Sequence, residues 1–154
     1  MTEIDVPAGS ESIELLSFTV GGEDYSININ STREIRGWTV PSSLPDAPAF
    51  VLGAINLRGV VLSLLDLAAR LGLQTPEVNE RSVIIVAEIG HTPVGLLVDA
   101  VSDIIAPTKD EMQPPPEVAT SPDSTCVQTL VFVGEKIVRV LNLESVLPPL
   151  TEAV

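Results

Sequence analysis

We predict a mainly β fold in which two small barrels pack on each other. Hydrophobic residues make up 45% of the 154 residues and aromatic residues only 3%, so Val, Leu and Ile supply most of the core. β-Branched side chains fill a pleated surface well and lose little conformational freedom in a strand. The 13 Pro and 10 Gly indicate many turns rather than long helices.

The first half of the chain begins with a hairpin and a third strand. Residues 15–20 form the first predicted strand, residues 21–24 a tight turn with two glycines, and residues 25–29 the alternating partner strand. Extended structure continues over residues 32–38, and residues 41–45 form a loop. The next segment, 46–53, is predicted to form one or two helical turns.

Three residues favour this short helix. Asp46 would cap the free N–H groups, Pro48 suits a first turn, and Gly53 would end the helix in the left-handed conformation. A second hairpin follows, in which residues 54–57 pair with residues 60–65 across a turn at Arg58-Gly59. Beyond it, an aspartate is placed to cap a helix over 67–71, and 74–81 is a polar link.

The second half of the chain repeats the strand order of the first. Residues 82–89 and 94–101 form its hairpin, and residues 137–143 form its last strand. A loop rich in Pro and acidic residues occupies residues 109–123. Closing each half into a barrel would remove exposed strand edges, and packing the halves together would supply a shared core.

The predicted domain organisation follows from this repetition. Residues 1–13 form a mobile arm and residues 149–154 a tail, on either side of one domain over residues 14–148. Within the domain, the first lobe covers approximately residues 17–81 and the second approximately residues 82–148, with some exchange of strands between them.

Charge and cysteine content narrow the possible partners and location. The formal net charge of −13 repels phosphate backbones and anionic lipids, so we expect no nucleic-acid binding and no binding to a membrane surface. A single Cys excludes an internal disulfide and is typical of a reducing compartment. The first residues lack the basic start and apolar run of a secretory signal, and no apolar stretch is long enough to span a membrane. We therefore expect a cytoplasmic protein.

The residues needed for catalysis or metal binding are missing. His91, the only histidine, lies in a predicted turn without an evident nucleophile, and Cys126 has no second cysteine near it. The alternatives, a general base at His91 or a reactive thiol at Cys126, each lack supporting residues. We expect no enzyme, no cofactor and no metal site.

Several segments occur in the order and spacing of a known family. They are residues 18–29, 33–38, 48–59, 94–101 and 113–117. With them the chain resembles the CheW family of chemotaxis coupling proteins over roughly residues 14–148. The resemblance implies two five-stranded SH3-like barrels and a non-catalytic adapter. Such an adapter binds the cytoplasmic tip of chemoreceptors and the regulatory domain of a CheA-type histidine kinase, at membrane-associated receptor arrays.

The resemblance also implies a receptor-binding site. Its apolar groove would draw on Leu16, Ile29, Thr32, Ile35 and Val101, with Arg58 and Glu34 as the polar pair. The alternatives remain open: a structural hydrogen bond for Arg58, a solvated strand position for Glu34, and core membership for the apolar residues. We expect a monomer that binds its partners reversibly.

Two other functions compete with this one. One is an adapter of the same family in twitching motility driven by type IV pili, or in another non-flagellar pathway. Identification of the partner kinase would distinguish this alternative from a chemotaxis adapter. The other is a β-barrel that binds a small ligand in an enclosed apolar cavity.

Overall fold

The computed structural model describes residues 13–73, 78, 81–114 and 126–146. These residues are mainly β, as predicted, with a few short helices. The strands are β1 Leu15–Val20, β2 Glu23–Asn28, β3 Thr32–Gly37, β4 Val51–Leu57, β5 Val60–Asp66, β6 Val83–Ile89, β7 Thr92–Val98, β8 Ala100–Ile105, β9 Met112–Gln113, β10 Val127–Val133 and β11 Lys136–Leu141. The helices are α1 Leu67–Arg70, α2 Leu143–Val146 and the 3-10 turns Ile29–Ser31 and Lys109–Glu111.

The strands form two sheets. One sheet has the order β9-β10-β11-β2-β1-β8, and the other has the order β3-β6-β7-β5-β4. The expected five strands are therefore present in the second sheet, whereas the first has a sixth strand of two residues.

Each sheet takes strands from both halves of the sequence. The β1–β2 hairpin is inserted next to β8 and β11, and the β6–β7 hairpin is inserted next to β3 and β5. Both insertions create a parallel pair, β11 with β2 and β5 with β7. The two halves of the chain are therefore interleaved within each sheet.

The largest apolar cluster joins the two sheets, and we call it the central cluster. It includes Leu16 and Phe18 of β1, Leu65 of β5, Ile85 of β6 and Leu96 of β7, all at most 3% exposed. Successive side chains of a strand point to opposite faces, so the alternate positions face away from this cluster.

Each sheet has a smaller cluster on its other face. The five-strand cluster consists of Ile55, Leu57, Leu62, Leu64, Ile84, Val86 and Leu97. The six-strand cluster consists of Leu15, Val131, Val138 and Val140. The strands of each sheet are thus apolar on both faces, which explains why several of them have nearly continuous hydrophobic sequences.

The prediction of a helix over residues 46–53 is wrong. Val51 already begins β4, and Asp46 has a positive φ of 61° instead of capping a helix. Gly53 lies inside the strand with a φ of 148°. The next residue, Ala54, forms an antiparallel β-bridge with Ser42. The signals for helix ends were present, but hydrogen bonds between Ser42 and Ala54 hold this segment extended, at 2.9 and 2.7 Å.

The prediction of one strand over residues 94–101 is also wrong. The chain bends at Asp99, so that β7 stays in the five-stranded sheet and β8 joins the six-stranded sheet. Asp99 fixes the bend, because its backbone N–H donates to the Thr19 carbonyl at 2.9 Å and its carboxylate accepts from the Gly21 N–H at 2.9 Å.

Three smaller predictions change or fall outside the described residues. The strand predicted over residues 25–29 ends at Asn28, where a 3-10 turn begins. The loop predicted over 109–123 contains a 3-10 turn and β9 in its described part. Four predicted segments lie partly or wholly outside the described residues: residues 1–12 of the arm over 1–13, most of the polar link over 74–81, the rest of that loop, and the tail.

Candidate protein-binding site

Strand β3 is an edge strand that presents different residues on its two faces. Glu34 pairs with Val86 and Arg36 with Ile84, so both lie on the face of the five-strand cluster. Ile35 pairs with Ile85 and lies on the face of the central cluster. A register shift between Thr32 and Glu34 marks a bulge where β3 begins.

Arg58 occupies the turn between β4 and β5. Arg58 and Gly59 have φ values of 52° and 90°, which are the positive values that a two-residue hairpin turn requires. The Gly59 N–H donates to Asn56 Oδ1 at 2.9 Å and stabilises the turn. The predicted turn at Arg58-Gly59 is confirmed, and it leaves most of the Arg58 side chain exposed.

Glu34 binds two arginines at once. Arg58 Nη2 donates to Glu34 Oε1, and Arg36 Nη1 donates to Glu34 Oε2 at 3.0 Å. The exposed fractions of the side chains differ: 70% for Arg58, 35% for Arg36 and 28% for Glu34. We call these three residues the Glu34 triad, in which Arg58 is the outer cation and Arg36 the inner one.

The contact between Glu34 and Arg58 shifts the pKa of both groups. The hydrogen bond from Arg58, followed by that from Arg36, holds the pKa of Glu34 below its ordinary value, although partial burial acts in the opposite direction. The same hydrogen bond raises the pKa of Arg58. The ion pair of Glu34 with Arg58 therefore stays charged over the whole physiological pH range.

An open groove lies beside the triad. Its volume is about 430 Å³, and its lining consists of Arg33, Glu34, Leu57, Arg58, Val60, Leu62, Val86, Glu88 and Pro93. Arg33 and Glu88 form a second ion pair at the rim. We call this feature the Arg58 groove, and it combines an apolar base with a charged rim.

The predicted apolar site residues lie on the side of the central cluster, and only two of them, Thr32 and Ile35, belong to β3. Leu16 is a core residue with 3% of its surface exposed, and Ile29 and Val101 pack partly buried against the same central cluster. Ile35 is 48% exposed, whereas the Thr32 hydroxyl is buried without a hydrogen-bond partner. The structure therefore brings Glu34 and Arg58 together on the face of the five-strand cluster, whereas the five apolar residues lie on the side of the central cluster.

Part of this site was not predicted from the sequence. Arg33, Arg36 and Glu88 belong to its charged network, and five apolar residues line the Arg58 groove: Leu57, Val60, Leu62, Val86 and Pro93. Arg36 could have been found, because it follows Glu34 by two positions and a strand places such residues on one face. Glu88 and Val86 had no such signal, since their proximity depends on sheet pairing.

Other kinds of site find no support in the described part of the chain. Among those residues, no group of three or more His, Cys, Asp or Glu side chains is placed to hold a metal ion. None of the helices formed by them has the length and apolar character needed to cross a membrane.

A family model for the CheW-like domain matches residues 14–149. The chain belongs to the CheW family. It is 44% identical over 135 residues to the chemotaxis protein CheW of Rhizobium meliloti (strain 1021), which covers 88% of this chain and 87% of that protein. It is 43% identical over 132 residues to a probable chemotaxis protein CheW of Rhizobium etli (strain CFN 42), covering 86% and 85%.

A solved CheW structure has the same fold. The crystal structure of the scaffolding protein TtCheW from Thermoanaerobacter tengcongensis matches with a TM-score of 0.79 at 29% identity, covering 85% of this chain and 89% of that one. Membership of the CheW family makes this chain a scaffold of the chemotaxis type. It also confirms the prediction that the chain is not an enzyme, because CheW proteins are non-catalytic.

Proposed function

We propose that this CheW-family chain couples chemoreceptors to a CheA-type histidine kinase. It binds the cytoplasmic tip of the receptors and the regulatory domain of the kinase at membrane-associated arrays. The receptor site comprises Arg58 and Glu34 together with Leu16, Ile29, Thr32, Ile35 and Val101. The single observation that carries the proposal is an exposed arginine held by a carboxylate above an apolar groove, on a chain of this family.

The distribution of charge supports a role for Arg58 in binding. The chain has a net charge of −13 and only eight Lys and Arg residues, yet Arg33, Arg36 and Arg58 all lie at this one site. A local concentration of cations on an acidic protein attracts carboxylates of a partner and orients them. The fixed fork of the Arg58 guanidinium suits a carboxylate or carbonyl group of the receptor.

The exposed apolar surface supports a partner that reaches across the edge of the sheet. Ile35 is 48% exposed on one face of β3, and Val60 is 51% exposed at the Arg58 groove on the other. Because β3 is the last strand of its sheet, a receptor helical hairpin can contact both faces. Leu16 is buried in the central cluster, and it contributes to the site by supporting Ile29 and Val101, which pack against that cluster.

Direct binding measurements test this proposal. Isothermal titration calorimetry would compare wild type and Arg58→Ala with two purified fragments from the same organism, a receptor cytoplasmic tip and the CheA regulatory domain. Lys136→Ala is the matched control, because it removes the same charge from an exposed position in the six-stranded sheet. We expect wild type to bind both fragments and Arg58→Ala to bind the receptor tip on the order of tenfold more weakly.

The possible results separate the parts of the proposal. If Lys136→Ala binds like wild type, and Arg58→Ala loses affinity for the receptor tip but not for the kinase fragment, Arg58 belongs to the receptor site. A wild-type chain that binds neither fragment contradicts the coupling function. If Arg58→Ala binds the receptor as tightly as wild type, Arg58 is not part of the receptor site, but the coupling function is not contradicted.

A further inference from the structure

We infer that Arg36 is a positioning residue that presents Arg58 to a partner by anchoring Glu34. The inference deepens the proposed function, since it concerns the same site. Arg36 was not among the residues predicted to bind the receptor, and with 35% of its side chain exposed it lies deeper than Arg58.

The two arginines of the triad differ in backbone position and in burial. Arg36 and Glu34 are on the same face of β3, so their side chains start from backbone positions held by pairing with β6. The Arg36 Nε is buried without a hydrogen-bond partner, so the inner half of this side chain is enclosed by protein. Arg58 starts from a turn, and 70% of its side chain is exposed.

These differences give Arg36 and Arg58 unequal freedom. An exposed arginine on a turn loses rotamer entropy when it binds, which weakens the interaction. Glu34 Oε1 reduces this loss by accepting a hydrogen bond from Arg58, provided that Glu34 keeps a single orientation. Arg36 supplies that constraint by donating to the second oxygen of the same carboxylate, at 3.0 Å. Removing Arg36 therefore loosens Arg58 without touching it.

Arg36 also makes it less costly for Arg58 to turn towards a partner. If Arg58 binds a carboxylate of the partner in place of Glu34, Glu34 loses its outer cation. Because Glu34 is only 28% exposed, an unpaired charge there would be poorly solvated. The hydrogen bond from Arg36 keeps Glu34 paired during this exchange.

The first test uses the free protein. The steady-state ¹⁵N{¹H} NOE of the Arg58 Nε–H group reports how ordered this side chain is. We expect this NOE to fall in Arg36→Gln and to stay at the wild-type value in Lys136→Gln, which removes the same charge from an exposed position in the six-stranded sheet. An unchanged NOE in Arg36→Gln overturns the inference, whether or not any partner binds.

The second test uses a double-mutant cycle with the receptor tip fragment. We expect Arg36→Gln to weaken binding about five- to tenfold in the wild-type background, and to have no further effect in the Arg58→Ala background. Arg36→Lys should restore most of the affinity, since a lysine can still pair with Glu34. An equal loss in both backgrounds overturns the inference and shows a separate role for Arg36. If wild type fails to bind the fragment, the proposed function fails, and the NOE result alone decides the role of Arg36.

Discussion

At the scale of single residues, Glu34 connects the strand, the turn and the surface charge of this protein. Its two carboxylate oxygens accept from different arginines, one from β3 and one from the β4–β5 turn. Both arginines favour the ionised form of Glu34, and in the unfolded chain both contacts are lost. The stabilisation that the triad provides is therefore complete above the ordinary glutamate pKa, and it is lost as the pH falls through the lower pKa of the folded state.

We predict that Arg58→Ala raises the pKa of Glu34 towards its ordinary value. The reason is that the hydrogen bond from Arg58 is the largest cause of the lowered pKa, while Arg36 remains in place. A ¹³C NMR titration of the Glu34 side-chain carboxyl group measures this directly. Lys136→Ala is the control and should leave the pKa of Glu34 unchanged. A Glu34 pKa at its ordinary value in the wild type would show that the triad does not form in solution.

At the scale of elements, the start of β4 depends on one glycine. A Cβ atom added at Gly53 would lie 2.2 Å from the Ser42 carbonyl oxygen, and the φ of 148° is one that other residues rarely adopt. The close approach allows Ser42 and Ala54 to exchange two backbone hydrogen bonds. Gly53 therefore allows the loop at Ser42 to pack against β4, although the sequence around Gly53 is typical of a helix end.

We predict that Gly53→Ala destabilises the protein by about 2–3 kcal/mol, because the loop at Ser42 must move and the backbone is strained. Gly37→Ala in β3 is the matched control, since no atom lies within 4 Å of its added Cβ atom. That control should change the free energy of unfolding by less than about 0.5 kcal/mol. Urea denaturation measures both variants, and equal stabilities for the two would refute the role given to Gly53.

At the scale of the whole molecule, the exchanged hairpins make the two sheets one cooperative unit. The β1–β2 hairpin and the β6–β7 hairpin each sit between strands that come from the other half of the chain. Their inner faces meet in the central cluster, which is larger than the cluster on the far side of either sheet. Neither sheet can unfold without exposing apolar surface of the other.

We predict that the protein unfolds in a single transition. We also predict that Leu96→Ala lowers the free energy of unfolding by about 2–5 kcal/mol, because Leu96 is fully buried in the central cluster. Trp38, the only tryptophan, packs against the five-strand cluster and reports on that sheet by fluorescence. Far-UV circular dichroism reports on both sheets, and the two curves should coincide in wild type and variant. Val61→Ala, at a 65% exposed position, should be nearly neutral. Separate curves would show that the sheets unfold independently.

The sequence by itself determined the local elements and the family. Strands of period two and turns that need glycine, such as the β1–β2 and β4–β5 turns, depend on neighbouring residues only, so their positions were predicted closely. The order of motifs around Arg58 indicated the CheW family, which the family comparison confirmed. Helix signals misled at residues 46–53, because a contact with Ser42 outweighed local preference there.

Only the tertiary structure decided which strands pair and which faces they share. Glu34 and Arg58 are 24 positions apart, and their contact depends on how β3 and the β4–β5 turn are placed in one sheet. The pairing of β3 with β6 places Glu34 and Ile35 on opposite faces of β3, and it places Arg36 on the same face as Glu34. Local sequence patterns do not specify such pairing, because its energy comes from side chains that meet across the sheet and in the central cluster.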